Sequence, residues 1–251
     1  DKKKGLPVFR LSQESNKHLT DFGVIITSTN IVNVIERGLV ADDGAVDLNK
    51  IYAFKRVSRV EQFPMDPALK ALFKDERYKS YNGRAQAAAV RLNLMAKENA
   101  TTLVNLPTGT GKTLVAQALS MCSKNKLTLV IVPLTALAID QGNRAAEMLN
   151  KQGNPGSSYY FWHGSQDPQQ HQTIKSNIRN GRQTILFTSP EAACKSLLFP
   201  LFDAAKADLI DSIVIDEAHM ISEWGDDFRP YYQIFASLLS SLRKLAPKGI
   251  K

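Results

Sequence analysis

Cysteine is almost absent: Cys122 and Cys194 are the only two in 251 residues. They stand far apart, with no histidine neighbours at metal-ligand spacing. That supports neither a disulfide framework nor a zinc site; both read as reduced core thiols. No apolar run is long enough to span a bilayer and no charged-then-apolar leader opens the chain, so the expected location is intracellular and cytoplasmic. Internal repeats and low-complexity tracts are missing as well. Acidic residues are the minority, 24 Asp and Glu against 32 Lys and Arg, which leaves a formal charge of +8 and a pI near 9.4. Such a surplus favours polyanionic partners through steering and counterion release. What remains is ordinary for a globular protein: 43% hydrophobic and 22% charged residues, in enough chain for one large domain with or without a small appendage.

From about Met65 onward, short β-branched runs alternate with longer helical patterns, the signature of an α/β domain with a mostly parallel sheet. The candidate strands "TTLVNL", "LTLVIVP", "TILFTSP" and "SIVIDEA" are nearly all apolar, as strands covered on both faces must be. The segments between them, "KTLVAQALSMCSK", "ALAIDQGNRAAEMLNKQ", "QQHQTIKSNIRNG" and "EAACKSLLFPLFDAAKA", repeat their apolar residues at three and four. Right-handed crossovers would bring every strand end to one edge of the sheet, where ligands of such folds bind. Residues 1–64 read differently, as an N-terminal accessory region. There "VFRL", "GVIIT", "IVNVI" and "IYAFKRV" are strand-like pieces between turn signals, which predicts a small β-rich or mixed appendage. "FPMDPALKALF" then reads as a linker turning into a helix, and residues 65–251 form the α/β domain.

"LVNLPTGTGKTLVAQAL" sets a glycine-rich turn after a strand pattern and before a helix pattern. Pro107, Thr108, Gly109, Thr110 and Gly111 would form the loop, its glycines letting backbone N–H groups approach phosphate oxygens without a Cβ in the way. Lys112 would reach the β and γ phosphates of ATP, and the Thr113 hydroxyl would ligate Mg²⁺. The strict form of this pattern begins with glycine; here Leu106 holds that place. Further on, "SIVIDEAH" delivers two carboxylates to the end of an apolar strand. Asp216 would hold Mg²⁺ through its water shell, and Glu217 would orient and deprotonate an attacking water. His219 stands where a sensor would lie, between the nucleotide and whatever binds above it.

Taken together, these residues resemble superfamily 2 helicases, and within them the RecQ-like DNA helicases. "LPTGTGKT" looks like motif I, "VIVPLTALAIDQ" motif Ia, "ILFTSPEAA" motif Ib and "DEAH" motif II, while "DEAHMISEWGDDFRPYY" resembles the aromatic-rich loop of the RecQ group. The resemblance covers roughly residues 69 to 251. It implies a RecA-like first motor domain that hydrolyses ATP and binds single-stranded or forked DNA, with Trp224, Phe228 and Arg229 coupling the two. The physics agrees, since an aromatic face stacks a base for about 1–3 kcal/mol without reading its identity. "RYKSYNGRAQAAAV" resembles the adenine-recognition motif, with Gln86 reading the adenine edge and Arg84 beside it, although the family's proline is lacking here. Motif Ia would contact the strand through Pro133, Leu134 and Thr135, and motif Ib through Ser189 and Pro190.

The stretch closes at "SLRKLAPKGIK", where the family's motif III strand is due, so the sequence reads as a fragment whose second motor domain and arginine finger lie elsewhere. Slow turnover by this piece alone is therefore expected. Two other classes stay open: a phosphate-loop ATPase that remodels protein or acts as a switch without DNA, and a nucleic-acid-binding module with a vestigial ATP site. Lys112, Thr113, Asp216 and Glu217 are all intact, which disfavours the second. Among helicase roles, DNA repair and anti-phage defence both fit.

Overall fold

The computed structural model describes residues 63–107, 109–150, 159–219 and 225–251, together with two short strands nearer the start. The chain divides into two compact units, residues 1–59 and 60–251. In the first, β1 (Val24–Ile26) and β2 (Val32–Val34) pair antiparallel, with Val24 opposite Val34. They fall within "GVIIT" and "IVNVI"; "VFRL" and "IYAFKRV" lie outside the described residues.

The second unit opens with β3 (Phe63–Pro64) and helix α1 (Pro67–Phe73), the linker-to-helix transition that the two prolines announce. A 3₁₀ turn leads to β4 (Ser80–Tyr81), antiparallel to β3, and to α2 (Arg84–Met95). After the glycine-rich loop come α3 (Thr113–Cys122), β5 (Leu127–Ile131) and α4 (Thr135–Asn150). Then follow α5 (Pro168–Arg179), β6 (Ile185–Thr188), α6 (Pro190–Cys194), α7 (Leu198–Lys206), β7 (Ile210–Ile215) and the long α8 (Gly225–Leu245).

Strands β6, β5 and β7 form one parallel sheet in that order. Period-two alternation splits their side chains between two cores. Val130, Val132, Ile185 and Phe187 pack with α2, α3 and α4 on one face; Leu129, Ile131 and Leu186 pack with α5, α7 and α8 on the other. Every residue of β5 is buried, which is why its sequence shows no polar alternation. Outside β6, Phe161 bridges Phe187 in parallel, so the segment around it runs with the sheet.

Two expectations need correction. "TTLVNL" forms no strand: residues 101–107 take no regular secondary structure, and Leu103 is 88% exposed. A strand needs a hydrogen-bonding neighbour as well as apolar residues, and the outer edge of β7 is engaged instead by Lys251, whose N–H donates to Asp211 O and whose carbonyl accepts from Ile213 N–H. The cysteines are free, but neither is a core thiol: Cys122, at the end of α3, is exposed and Cys194 half-buried.

Candidate nucleotide and nucleic-acid site

Because the three strands are parallel, the loops that follow β5, β6 and β7 emerge at one edge of the sheet. Pro133, Leu134 and Thr135 follow β5, with Pro133 buried and Leu134 and Thr135 exposed. Ser189 and Pro190 follow β6. There the Ser189 hydroxyl accepts from Ala192 N–H at 3.2 Å, capping α6, and Pro190 occupies the first turn. Asp216 and Glu217 follow β7, with Asp216 N–H still in the ladder, donating to Ile131 O at 2.8 Å.

The glycine-rich loop lies against this edge. Gly109 and Gly111 both have φ of 79°, left-handed conformations that glycine alone adopts without strain. Thr110 turns back on Pro107, its N–H and its hydroxyl both donating to the Pro107 carbonyl, at 3.3 and 2.6 Å. Helix α3 then starts at Thr113 with Lys112 as its N-cap, so Thr113 sits at the positive end of the helix. Thr108 lies outside the described residues.

The loop and the acids meet through Lys112, whose Nζ stands 3.8 Å from Glu217 Oε1. On the other side His219 Nδ1 is 3.2 Å from Glu217 Oε2. Glu217 itself has φ of 50°, a strained conformation of the kind that clusters at functional sites. Asp216 is held at both oxygens: Oδ1 accepts from Glu217 N–H at 3.0 Å and Oδ2 from the side-chain amide of Gln141 at 2.9 Å. Nearby, the Tyr232 hydroxyl on α8 is buried and has no hydrogen-bond partner among the described residues; burial pushes its pKa up, and the negative charge of Asp216 adds to the shift.

Gln86 is 4% exposed, and each end of its amide has a protein partner. Its Oε1 accepts from Asn82 N–H at 2.7 Å and its Nε2 donates to Gly111 O at 2.8 Å, so the side chain ties the start of α2 to the glycine-rich loop. A Cβ at Gly111 would lie 2.5 Å from that Nε2, and glycine alone permits this approach. Arg84 is the first, exposed residue of α2. Trp224 falls outside the described residues. Phe228 and Arg229 belong to the opening turns of α8 rather than to a loop, and their side chains are not described. Sequence reasoning passed over Asn82, Gln141 and Tyr232. Gln141 was visible only as the last letter of "ALAIDQ", where nothing local marks it as facing a carboxylate.

An α/β unit with a glycine-rich loop at a helix N-terminus, its lysine beside acids from a neighbouring strand end, defines the class of phosphate-loop nucleotide-binding domains. The profile of the DEAD/DEAH box helicase family matches residues 84–248, more than half of the chain, and the chain belongs to that family. Membership implies ATP binding. The ATP-dependent DNA helicase RecQ of Haemophilus influenzae is 37% identical over 139 residues, which cover 55% of this chain and 21% of that relative. The RecQ of Pasteurella multocida is 33% identical over 163 residues, 65% of this chain and 23% of that relative. The chain thus spans less than a quarter of the length of these relatives. The crystal structure of the helicase MrfA bound to DNA and AMPPNP superposes with a TM-score of 0.55 at 19% identity, covering 75% of this chain and 26% of that one, a likeness of fold.

Proposed function

We propose that this chain is the ATP-binding motor domain of a RecQ-type, ATP-dependent DNA helicase, coupling hydrolysis to movement along single-stranded DNA or to opening of a duplex. The observation that carries this reading is the 3.8 Å approach of Lys112 to Glu217, which brings the phosphate loop and the acids into one site. The donors fit a hydrated magnesium ion, since a hydroxyl and a carboxylate are the hard oxygen ligands it takes. Thr113 and Asp216 would hold that ion, which supplies neutralising charge at the phosphates. Lys112 would leave Glu217 for the γ phosphate when ATP enters, exchanging one anion for another. Freed of its ion-pair partner, Glu217 would accept the proton of the attacking water, with His219 on its second oxygen orienting it.

The row of turns after β5 and β6 supports a nucleic-acid track beside the nucleotide, with Leu134, Thr135 and Ser189 touching backbone and Trp224, Phe228 and Arg229 stacking bases and pairing phosphate. Gln86 and Arg84 would meet the adenine; Gln86 would then trade its bond to Gly111 O for the base. The intact motor would serve DNA repair or anti-phage defence.

The test is nucleotide binding by calorimetry together with single-turnover hydrolysis. Lys112→Ala should lose Mg-ATP binding, whereas Glu217→Gln should retain it and hydrolyse at least about a hundredfold more slowly. Wild-type hydrolysis by the Glu217→Gln variant would sink the assignment of the base. Turnover and binding indifferent to single-stranded DNA would favour a switch or remodelling ATPase instead.

A further inference from the structure

The carboxylate of Asp216 has two rotatable torsions, and an ion-holding carboxylate gains from having both settled before the ion arrives. Its two hydrogen bonds differ in kind. Oδ1 is bound by the N–H of the next residue, Glu217, which any amino acid at that position would supply. Oδ2 is bound by Gln141, 75 residues away in α4. An ionised carboxylate can only accept, so the contacting atom of Gln141 must be its amide nitrogen.

Helix α4 is itself fixed at this point. The next residue is Gly142, where an added Cβ would stand 2.7 Å from Phe161, so helix and edge segment are in backbone-to-ring contact. The same helix begins at Thr135, directly after the exposed turn at the sheet edge. Among the described residues, Gln141 is the one side chain shown bonded to the Asp216 carboxylate.

We propose that Gln141 is a positioning residue for the magnesium-holding carboxylate of Asp216, fixing its orientation and thereby tying ion affinity to the placement of α4. This rests on the reading of the site as a Mg-ATP site. The dependence runs in both directions, as linkage requires: a displacement of α4 by a ligand at its N-terminal turn would loosen the ion, and the ion would resist that displacement.

The experiment compares ATP affinity in magnesium with ATP affinity in EDTA, for the wild-type chain and for Gln141→Ala and Gln141→Leu. Both variants should lose about tenfold in magnesium, the usual effect of removing an outer partner of an ion ligand. In EDTA they should stay within about twofold of wild type, because the triphosphate contacts of the glycine-rich loop remain. The leucine variant preserves side-chain volume, which guards against misfolding in the alanine variant, and melting of the nucleotide-free protein checks both. An equal loss with and without magnesium, or no loss in either, would overturn the proposal. A wild-type chain that binds no ATP would overturn the Mg-ATP reading, and this inference with it.

Discussion

Asp66 shows how much a single side chain can anchor. It precedes α1 and accepts from the buried Tyr81 hydroxyl at 2.7 Å and from Arg91 at 2.6 and 3.0 Å, joining α1, β4 and α2. The Arg91 hydrogen bonds, above all, hold its carboxyl below the usual carboxylate range; partial burial pushes back, and the Tyr81 hydroxyl adds to the lowering. A depressed folded-state pKa contributes stability that is present above the unfolded value, near 4, and is lost as pH falls through the folded value. Asp66→Asn should therefore cost about 1–2 kcal/mol at pH 7, part of it from the weakened bond to Tyr81. Denaturant titrations at pH 7 and pH 3 check this: the gap between wild type and variant should narrow in acid. A gap independent of pH would mean that the ionised form of Asp66 contributes nothing.

Among the elements, α4 bears the most on the site. It starts at the sheet edge, carries Gln141 to Asp216, and meets the Phe161 segment through Gly142. Replacing a mid-helix glycine by alanine ordinarily stabilises by about 1 kcal/mol. Here the new methyl would press on Phe161, and overpacking of that kind costs about 1–3 kcal/mol. Gly142→Ala should consequently destabilise the fold by about 1 kcal/mol in urea titrations, and a stabilised variant would show that Phe161 yields easily. The position of Phe161 was outside the reach of sequence reading, because "SSYYFWHG" carries no strand punctuation and its bridge to Phe187 is a single parallel contact. The three strands that do form the sheet were legible from their composition alone.

For the molecule as a whole, the formal charge of +8 is the broadest feature. If basic side chains neutralise the backbone of a bound single strand, log affinity should fall linearly with log salt, by about 0.7 for each phosphate engaged. Fluorescence anisotropy of a labelled oligonucleotide between low and physiological salt measures that slope; affinity independent of salt would mean that the surplus serves some other purpose. No helix among the described residues is long and apolar enough to cross a membrane. The family match bears on residues of the second unit, whereas the β1–β2 pair of the first is described by its own register alone.

What the sequence determined by itself is local and periodic. Two-sided burial is visible as apolar runs in "LTLVIVP" and "TILFTSP", whereas the similar run in "SIVIDEA" is only half-buried, and the turn with two glycines before Lys112 announces a helix start because few other residues tolerate its backbone. Tertiary structure alone decided which groups face one another. Glu217 lies between Lys112 and His219, Gln86 spends its amide on Asn82 and Gly111, and Gln141 reaches Asp216 across 75 residues. The segment 101–106 shows the reason most plainly. Its composition suits a strand, yet it forms none, because strand formation depends on a neighbouring edge and pairing is a property of the assembled sheet, not of the segment.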